Sequence, residues 1–208
     1  FQNDIQFNKQ TIFEYEVTFE PGPLGLLLDK APGQRVGVIV HGVREDSQAD
    51  DLEVIEEGDI LATLDILQKS KKPVIISGGG VKYSKASAAL TQFAEGLNIP
   101  VATSLNGKDT FLANHPLSAG VVGTYSRGSA NQIVKNADTV CFIGTKTGGM
   151  TTHFWNIPEV GIPAIQIDID PAEIGRNYPL KASVQGDALT VLEKMLTLMD
   201  TSTGKNRG

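Results

Sequence analysis

Three short segments of this chain combine glycine with hydroxyl or cationic side chains in the way a phosphate cradle requires: Ser77-Gly78-Gly79-Gly80, Ser104-Leu105-Asn106-Gly107 and Gly144-Thr145-Lys146-Thr147-Gly148-Gly149. Glycine lets a backbone come close to a diphosphate, exposed N–H groups and helix N-termini favour an anion, and Lys146 adds a point charge. A fourth segment, Gln166-Ile167-Asp168-Ile169-Asp170-Pro171-Ala172-Glu173-Ile174-Gly175-Arg176-Asn177, places Asp168 where a carboxylate can accept from ribose hydroxyls or an adenine amine. The same residues also serve architecture alone. Glycine-rich turns pack helices against sheets, and Asp170, Pro171, Glu173 and Gly175 spell a short capped helix that stops at the glycine. Neither G-x-G-x-x-G nor G-x-x-x-x-G-K-[ST] occurs, so the residue pattern leaves nucleotide binding and plain packing both open.

Each of these segments follows a short apolar run rich in β-branched residues, and helical periodicity fills the gaps, which is how a parallel sheet with crossover helices reads. The runs predict strands at Val74–Ser77, Val101–Thr103, Thr139–Ile143 and Ala164–Ile169. Ala86, Ala89, Leu90, Phe93 and Leu97 share one helical face, with Ser84 expected to cap it. A second helix carries Ala130, Ile133, Val134 and Ala137. A third starts at the N-cap Asp187 and runs through Val191, Leu192, Met195, Leu196 and Met199, after which the polar residues 200–208 predict a flexible tail. In an open parallel sheet ligands gather at the carboxyl ends of strands, where all four segments fall.

Bulk composition narrows the functions available. A net charge of -6 and scattered basic residues argue against a nucleic-acid surface. The one basic cluster, Lys69, Lys71 and Lys72, reads as a solvated helix end. Cys141, the single cysteine, lies in an apolar run and excludes a disulfide framework. No segment approaches the roughly 18 apolar residues of a membrane span and no signal peptide opens the chain, so an intracellular, cytoplasmic setting is expected. Because the chain begins at Phe1 rather than Met, organelle targeting stays open. His41, His115 and His153 lack acidic neighbours at ligand spacing and predict no metal site, and Trp155 is expected to anchor packing. No Ser-His-Asp or paired-carboxylate arrangement is present, so no catalytic residue is nominated.

The order of several motifs adds a family. Lys72-Pro73-Val74-Ile75-Ile76-Ser77-Gly78-Gly79-Gly80-Val81, Ile99 to Ser104 with Gly107-Lys108, His115-Pro116-Leu117, Gly120 to Thr124, Ala130-Asn131 with Ala137-Asp138, Gln166 to Asn177 and Gly186-Asp187-Ala188 follow one another as in the central domain of thiamine-diphosphate-dependent enzymes. Residues 65–199 resemble that domain as it occurs in acetolactate synthases. The resemblance implies an α/β fold with a six-stranded, Rossmann-like parallel sheet that grips the ADP half of FAD or, in some relatives, free ADP. The contacts it implies are Gly78, Gly79, Thr103, Gly123, Thr124, Gly144, Thr145, Lys146, Asp168, Ile169, Asp187 and Ala188. One departure follows the third strand, where acetolactate synthases carry Gly-Ala-Arg-Phe-Asp-Asp-Arg. Lys146 replaces that arginine, keeping the charge and losing the bidentate fork, which leaves a flavin-free relative open. Thiamine diphosphate and Mg²⁺ are implied only for a full-length parent. Gly58-Asp59 and Gly186-Asp187 lack the family's magnesium-binding continuation, so these residues alone are not expected to catalyse.

Residues 1–64 have a different texture. Phe13 to Phe19 alternates, Leu24 to Leu28 and Val36 to Val40 form apolar runs, and Pro21-Gly22-Pro23 and Ala31-Pro32-Gly33 read as turns. Residues 15–64 resemble the first part of a PDZ domain, with Leu24, Gly25 and Leu26 at the loop that would bind a peptide C-terminus and Gly58-Asp59-Ile60-Leu61-Ala62 closing the match. The pattern stops before the helix that walls the peptide groove. The sequence thus predicts a partial PDZ-like β region at 1–64 and the enzyme-type domain at 65–199. A nucleotide is the first partner expected and a peptide C-terminus the second, with a homo-oligomer open. A chimeric chain without selected function is the remaining alternative.

Overall fold

The computed structural model describes residues 57–204 continuously, with their side chains to Met199, and before them the backbone of four strands. These are β1 (Asp4–Asn8), β2 (Glu14–Thr18), β3 (Leu26–Lys30) and β4 (Val38–Val43). The chain divides into two compact units, one of residues 1–53 and 170–172 and the other of residues 54–169 and 173–208. In the first unit β1 pairs antiparallel with β2, from Asp4 opposite Thr18 to Asn8 opposite Glu14, and β3 pairs antiparallel with β4. The alternating and apolar runs of the sequence thus do become strands. Of the expected peptide-binding residues, Leu26 opens β3, while Leu24 and Gly25 lie outside the described residues, as do both Pro-Gly turns.

The second unit opens with α1 (Glu57–Lys69). Ile60, Leu64 and Leu67 fall on one buried face, acidic Glu57 and Asp59 sit in the first turn, and Lys69 pairs with Asp65 at 2.8 Å. Gly58 to Ala62 is therefore the start of a helix rather than the close of a PDZ-like segment, and the expected boundary after Leu64 falls inside α1. The spacing of its apolar residues, with no breaker before Ser70, decides the outcome. Next along the chain come β5 (Pro73–Ser77), α2 (Gly79–Tyr83), α3 (Ser87–Leu97), β6 (Val101–Thr103), β7 (Ser118–Val121), α4 (Gly128–Lys135), β8 (Thr139–Ile143), β9 (Ala164–Asp168), β10 (Leu180–Gln185) and α5 (Ala188–Gly204).

Six strands form one sheet in the order β7-β6-β5-β8-β9-β10, every neighbouring pair parallel. This is the doubly wound arrangement, whose strand order reverses between β5 and β8. The register aligns the carboxyl ends: Ser77 lies beside Thr103 and Ile143, Ile143 beside Ile167, and Asp168 beside Gln185. Alternate side chains feed two cores. Ile75, Val101, Cys141, Ile143, Ile165 and Ile167 pack with α1, α3 and α5, while Val74, Ile76, Ala102, Val140 and Phe142 pack with Ala130 and Val134 of α4 and with Tyr178.

Four local expectations change. Ser84 does not cap α3; it ends α2, its hydroxyl donating to Gly80 O at 2.9 Å, and α3 begins after Ala86 without a side-chain cap. Residues 170–177 form turns instead of a capped helix. Asp170 Oδ1 accepts the Ala172 N–H, and the Gln166 amide side chain takes both Glu173 O at 2.9 Å and the Gly175 N–H at 3.0 Å, groups that a helix would have used for itself. Ile133 is partly exposed while Ala130 and Val134 are buried. Finally, α5 continues to Gly204, past the expected end at Met199.

Candidate nucleotide site at the carboxyl edge of the sheet

The expected contact residues all fall at the carboxyl ends of strands or just beyond them, but the structure uses them in different ways. At the switch point between β5 and β8 the two glycine-rich turns close on each other. Gly78 N–H donates to Ile143 O at 2.8 Å and Gly80 N–H to Gly144 O at 2.9 Å. A Cβ on Gly78 would stand 2.2 Å from Gly144 O and 2.4 Å from Thr145 Cβ, and one on Gly80 would stand 2.8 Å from Gly144 Cα. Gly144 itself holds φ +58, a conformation glycine adopts without strain. These glycines therefore bring the β5 and β8 turns into backbone contact, the packing role that their sequence left open. Gly79 differs, since a Cβ there would meet nothing closer than 3.6 Å, and its backbone remains partly open.

Beyond β8 and β9 the site is polar and charged. Lys146 Nζ lies 3.5 Å from Glu173 Oε1, and Arg176 Nη1 donates to the same oxygen at 2.9 Å. Both cations are exposed and the carboxylate is buried. Asn177 Nδ2 donates to Thr147 Oγ1 at 3.0 Å and to Lys146 O at 3.2 Å, and Gln166 fixes the chain around Glu173, so the β8 and β9 turns are stapled together. Asp168 is buried at the end of β9, with the exposed Ile169 beside it and Gly186 N–H donating to Asp168 O at 3.0 Å. Thr145 is buried beneath the β8 turn.

Asp187 acts as the cap foreseen for it: Oδ1 accepts the N–H of Leu189 at 3.0 Å and of Thr190 at 3.2 Å, with Ala188 buried behind it. At the far side of the sheet Thr103 is buried, Gly123 holds φ +108 with its Cα against Met150 O, and Thr124 N–H donates to Met150 O at 2.9 Å. Lys146 follows β8 and Asp168 and Ile169 end β9, whereas Thr103 ends β6 and Gly123 and Thr124 follow β7, where they meet Met150 of the segment after β8. Trp155 is not a buried anchor. It stays partly exposed and donates from Nε1 to Thr147 O at 3.2 Å, within a segment whose residues 153–155 all have positive φ.

Sequence reasoning missed Glu173, Gln166, Arg176 and Asn177 as site residues, having read the first as a cap. Their signal was the concentration of long polar side chains directly after an apolar strand, where the usual connection needs only a turn. Among the described residues three buried side-chain oxygens lack a hydrogen-bond partner: Thr63 Oγ1, Thr124 Oγ1 and Glu173 Oε2. The last two lie at this carboxyl edge.

Residues 60–195 match the family model described as the thiamine pyrophosphate enzyme central domain. The chain belongs to the thiamine pyrophosphate enzyme family through that central domain. It is 36% identical over 141 residues to a probable acetolactate synthase large subunit of Methanococcus aeolicus, covering 68% of this chain and 24% of the relative. Identity is 40% over 136 residues to the corresponding protein of Methanocaldococcus jannaschii, with shares of 64% and 23%. A 3D-(3,5/4)-trihydroxycyclohexane-1,2-dione hydrolase of Clostridium perfringens is 34% identical over 142 residues, with shares of 67% and 22%. The chain therefore spans under a quarter of the length of these relatives, and the acetolactate synthase-like central domain is what the match establishes. The family match stops short of residues 1–59, and the PDZ-like resemblance gains no support from it.

Among the described residues no group of three or more His, Cys, Asp or Glu side chains is placed to hold a metal ion. The carboxyl edge presents two exposed cations, Lys146 and Arg176, and the unpartnered oxygens Glu173 Oε2 and Thr124 Oγ1. No helix among the described residues is long and apolar enough to cross a membrane.

Proposed function

We infer that residues 60–195 bind a nucleoside diphosphate, as ADP or as the ADP half of FAD, at the carboxyl edge of the sheet, and act as the non-catalytic nucleotide-holding domain of an acetolactate synthase-like enzyme. The observation that carries this is the Lys146–Glu173–Arg176 cluster, a net positive group at the ends of β8 and β9 whose two cations face solvent. Diphosphate oxygens would replace water around Lys146 and Arg176, Asp168 would accept from the adenine amine, and Ile169 would lie against the base. Thiamine diphosphate, Mg²⁺ and the bond-making steps belong, in this account, to the rest of the parent enzyme.

The length of the ligand separates ADP from FAD. From β10 to β7 the sheet covers five strand spacings, about 24 Å at ~4.8 Å each. ADP seated on β8 and β9 leaves Thr103, Gly123 and Thr124 untouched, while the longer flavin dinucleotide extends toward them. Calorimetry of the full chain should give saturable ADP binding that weakens about tenfold in Lys146→Ala, the loss expected for one charge-assisted contact. FAD should bind more tightly than ADP only if the β6 and β7 turns also engage it. No heat with either nucleotide would reduce the domain to a spacer.

A further inference from the structure

His115 sits in the turn that leads into β7, and both of its ring nitrogens are engaged. Nδ1 stands 3.1 Å from the Leu117 N, and Nε2 stands 3.1 Å from Glu95 Oε1, which reaches across from α3. A backbone N–H only donates, so Nδ1 accepts and carries no proton, and the ring hydrogen lies on Nε2, donating to the carboxylate. These contacts select a neutral imidazole in a single tautomer. The ring is also closely held, with its side chain 15% exposed and the Phe111 ring edge-on to it at 4.8 Å. Of the charged groups on the elements around it, Glu95 faces Nε2 from α3, while Asp109, in the turn before Phe111, is taken up by Lys82 of α2 at 3.2 Å.

The bond to Leu117 bears on the edge of the sheet. Leu117 O accepts the Val101 N–H at 2.8 Å, and His115 O accepts the Ser118 N–H at 2.9 Å. Ser118 then stands opposite Val101 in the register of β6 and β7. The imidazole thus closes the turn from which the outermost strand starts. We propose that His115 is a proton-operated latch on β7: a proton taken from solvent onto Nδ1 turns the acceptor of the Leu117 N–H into a second donor and releases the start of the strand. Two donors cannot share a 3.1 Å contact, and β7, an edge strand bonded to β6 alone, has few ladder bonds to hold it there. The pair with Glu95 survives the change, since Nε2–H donates in both forms and gains a full charge opposite the carboxylate. Protonation therefore opens one side of the ring while the other stays tied to α3. The turn lies at the amino end of β7, so the inference is independent of nucleotide binding at the carboxyl edge.

The test is a pH series on the full chain by NMR. The ¹⁵N shifts of the imidazole report its tautomer and protonation, and amide exchange, corrected for the intrinsic effect of pH, reports protection. At pH 8 the ring should carry its hydrogen on Nε2. Between pH 8 and pH 5 the protection of the Leu117 amide should fall about tenfold, in step with protonation of the ring, as expected for the loss of one hydrogen bond. The Ile99 amide, which donates to Ala94 O at 2.9 Å, should hold its protection over the same range. His115→Asn keeps an acceptor where Nδ1 stands, in the bond an asparagine side chain makes to the backbone two residues on, and does not titrate. In that variant the Leu117 amide should be equally protected at both pH values. Four results in the wild-type protein overturn the proposal whether or not the variant folds: a hydrogen on Nδ1 at pH 8, a ring still neutral at pH 5, level Leu117 protection while the ring protonates, or an equal fall at Ile99. A fall of the same size in His115→Asn also overturns it, because the proton would then act elsewhere.

Discussion

A methyl group at position 78 has nowhere to go, while one at position 79 has open space. The first would stand 2.2 Å from Gly144 O and the second 3.6 Å from its nearest neighbour, Asn106 Cβ. Gly78→Ala is therefore expected to cost about 2–3 kcal/mol through overpacking against backbone that cannot yield, and Gly79→Ala less than about 0.5 kcal/mol, both read from urea unfolding. Similar losses for the two would contradict the packing role assigned to Gly78. The sequence could not separate them, because a cradle and a tight packing contact both ask for a missing side chain. Cys141 was easier: its place in a run of apolar residues identified it as core, and burial pushes its thiol up to about 12. It should resist thiol reagents in the native state and react only after unfolding.

Among the elements, those buried on both faces were the legible ones. β5, β6, β8 and β9 are buried almost throughout, and each was foreseen within a residue or two. β7 and β10 are the edge strands, with mostly half-buried residues, and only the family resemblance implied six strands. The turn after β9 was misread because the capping pattern of Asp170, Pro171 and Glu173 is local, whereas Gln166, which captures the helix-forming groups, acts from within the strand. A different element contact governs acid stability. Asp138, just before β8, accepts from the Lys71 N–H at 2.9 Å, the Lys72 N–H at 3.0 Å and the Ser70 hydroxyl, joining the end of α1 and the start of β5 to the amino end of β8. Burial alone would raise its carboxyl, but the bonds from Ser70, Lys72 and Lys71 prevail and hold it below the ordinary value. Its contribution is therefore complete above the unfolded carboxyl's value near pH 4 and fades as pH falls through the lower folded value. Below about pH 4 wild type should lose stability faster than Asp138→Asn, measured by thermal unfolding across pH 3 to 7. Parallel declines would show that these bonds do not favour the charged form.

At the scale of the whole molecule, the chain supplies a doubly wound sheet and a charged carboxyl edge but, among its described residues, no metal cluster. The charged edge, with Lys146 and Arg176 exposed, is the feature on which the proposed nucleotide binding rests. The fold and family were readable because the ordered motifs fix six strands and their turns. The site was readable only by position along the sheet, since which turn residues pack and which face solvent depends on contacts between β8 and β9 that no local pattern encodes. The most direct test of nucleotide binding at this edge is a ¹⁵N–¹H correlation spectrum of the full chain titrated with ADP. Amide shifts should concentrate at Gly79, at Gly144 to Lys146 and from Asp168 to Arg176, with Asp138 and the amino ends of the strands unmoved. Saturating shifts at the amino ends instead, or none at all, would contradict it.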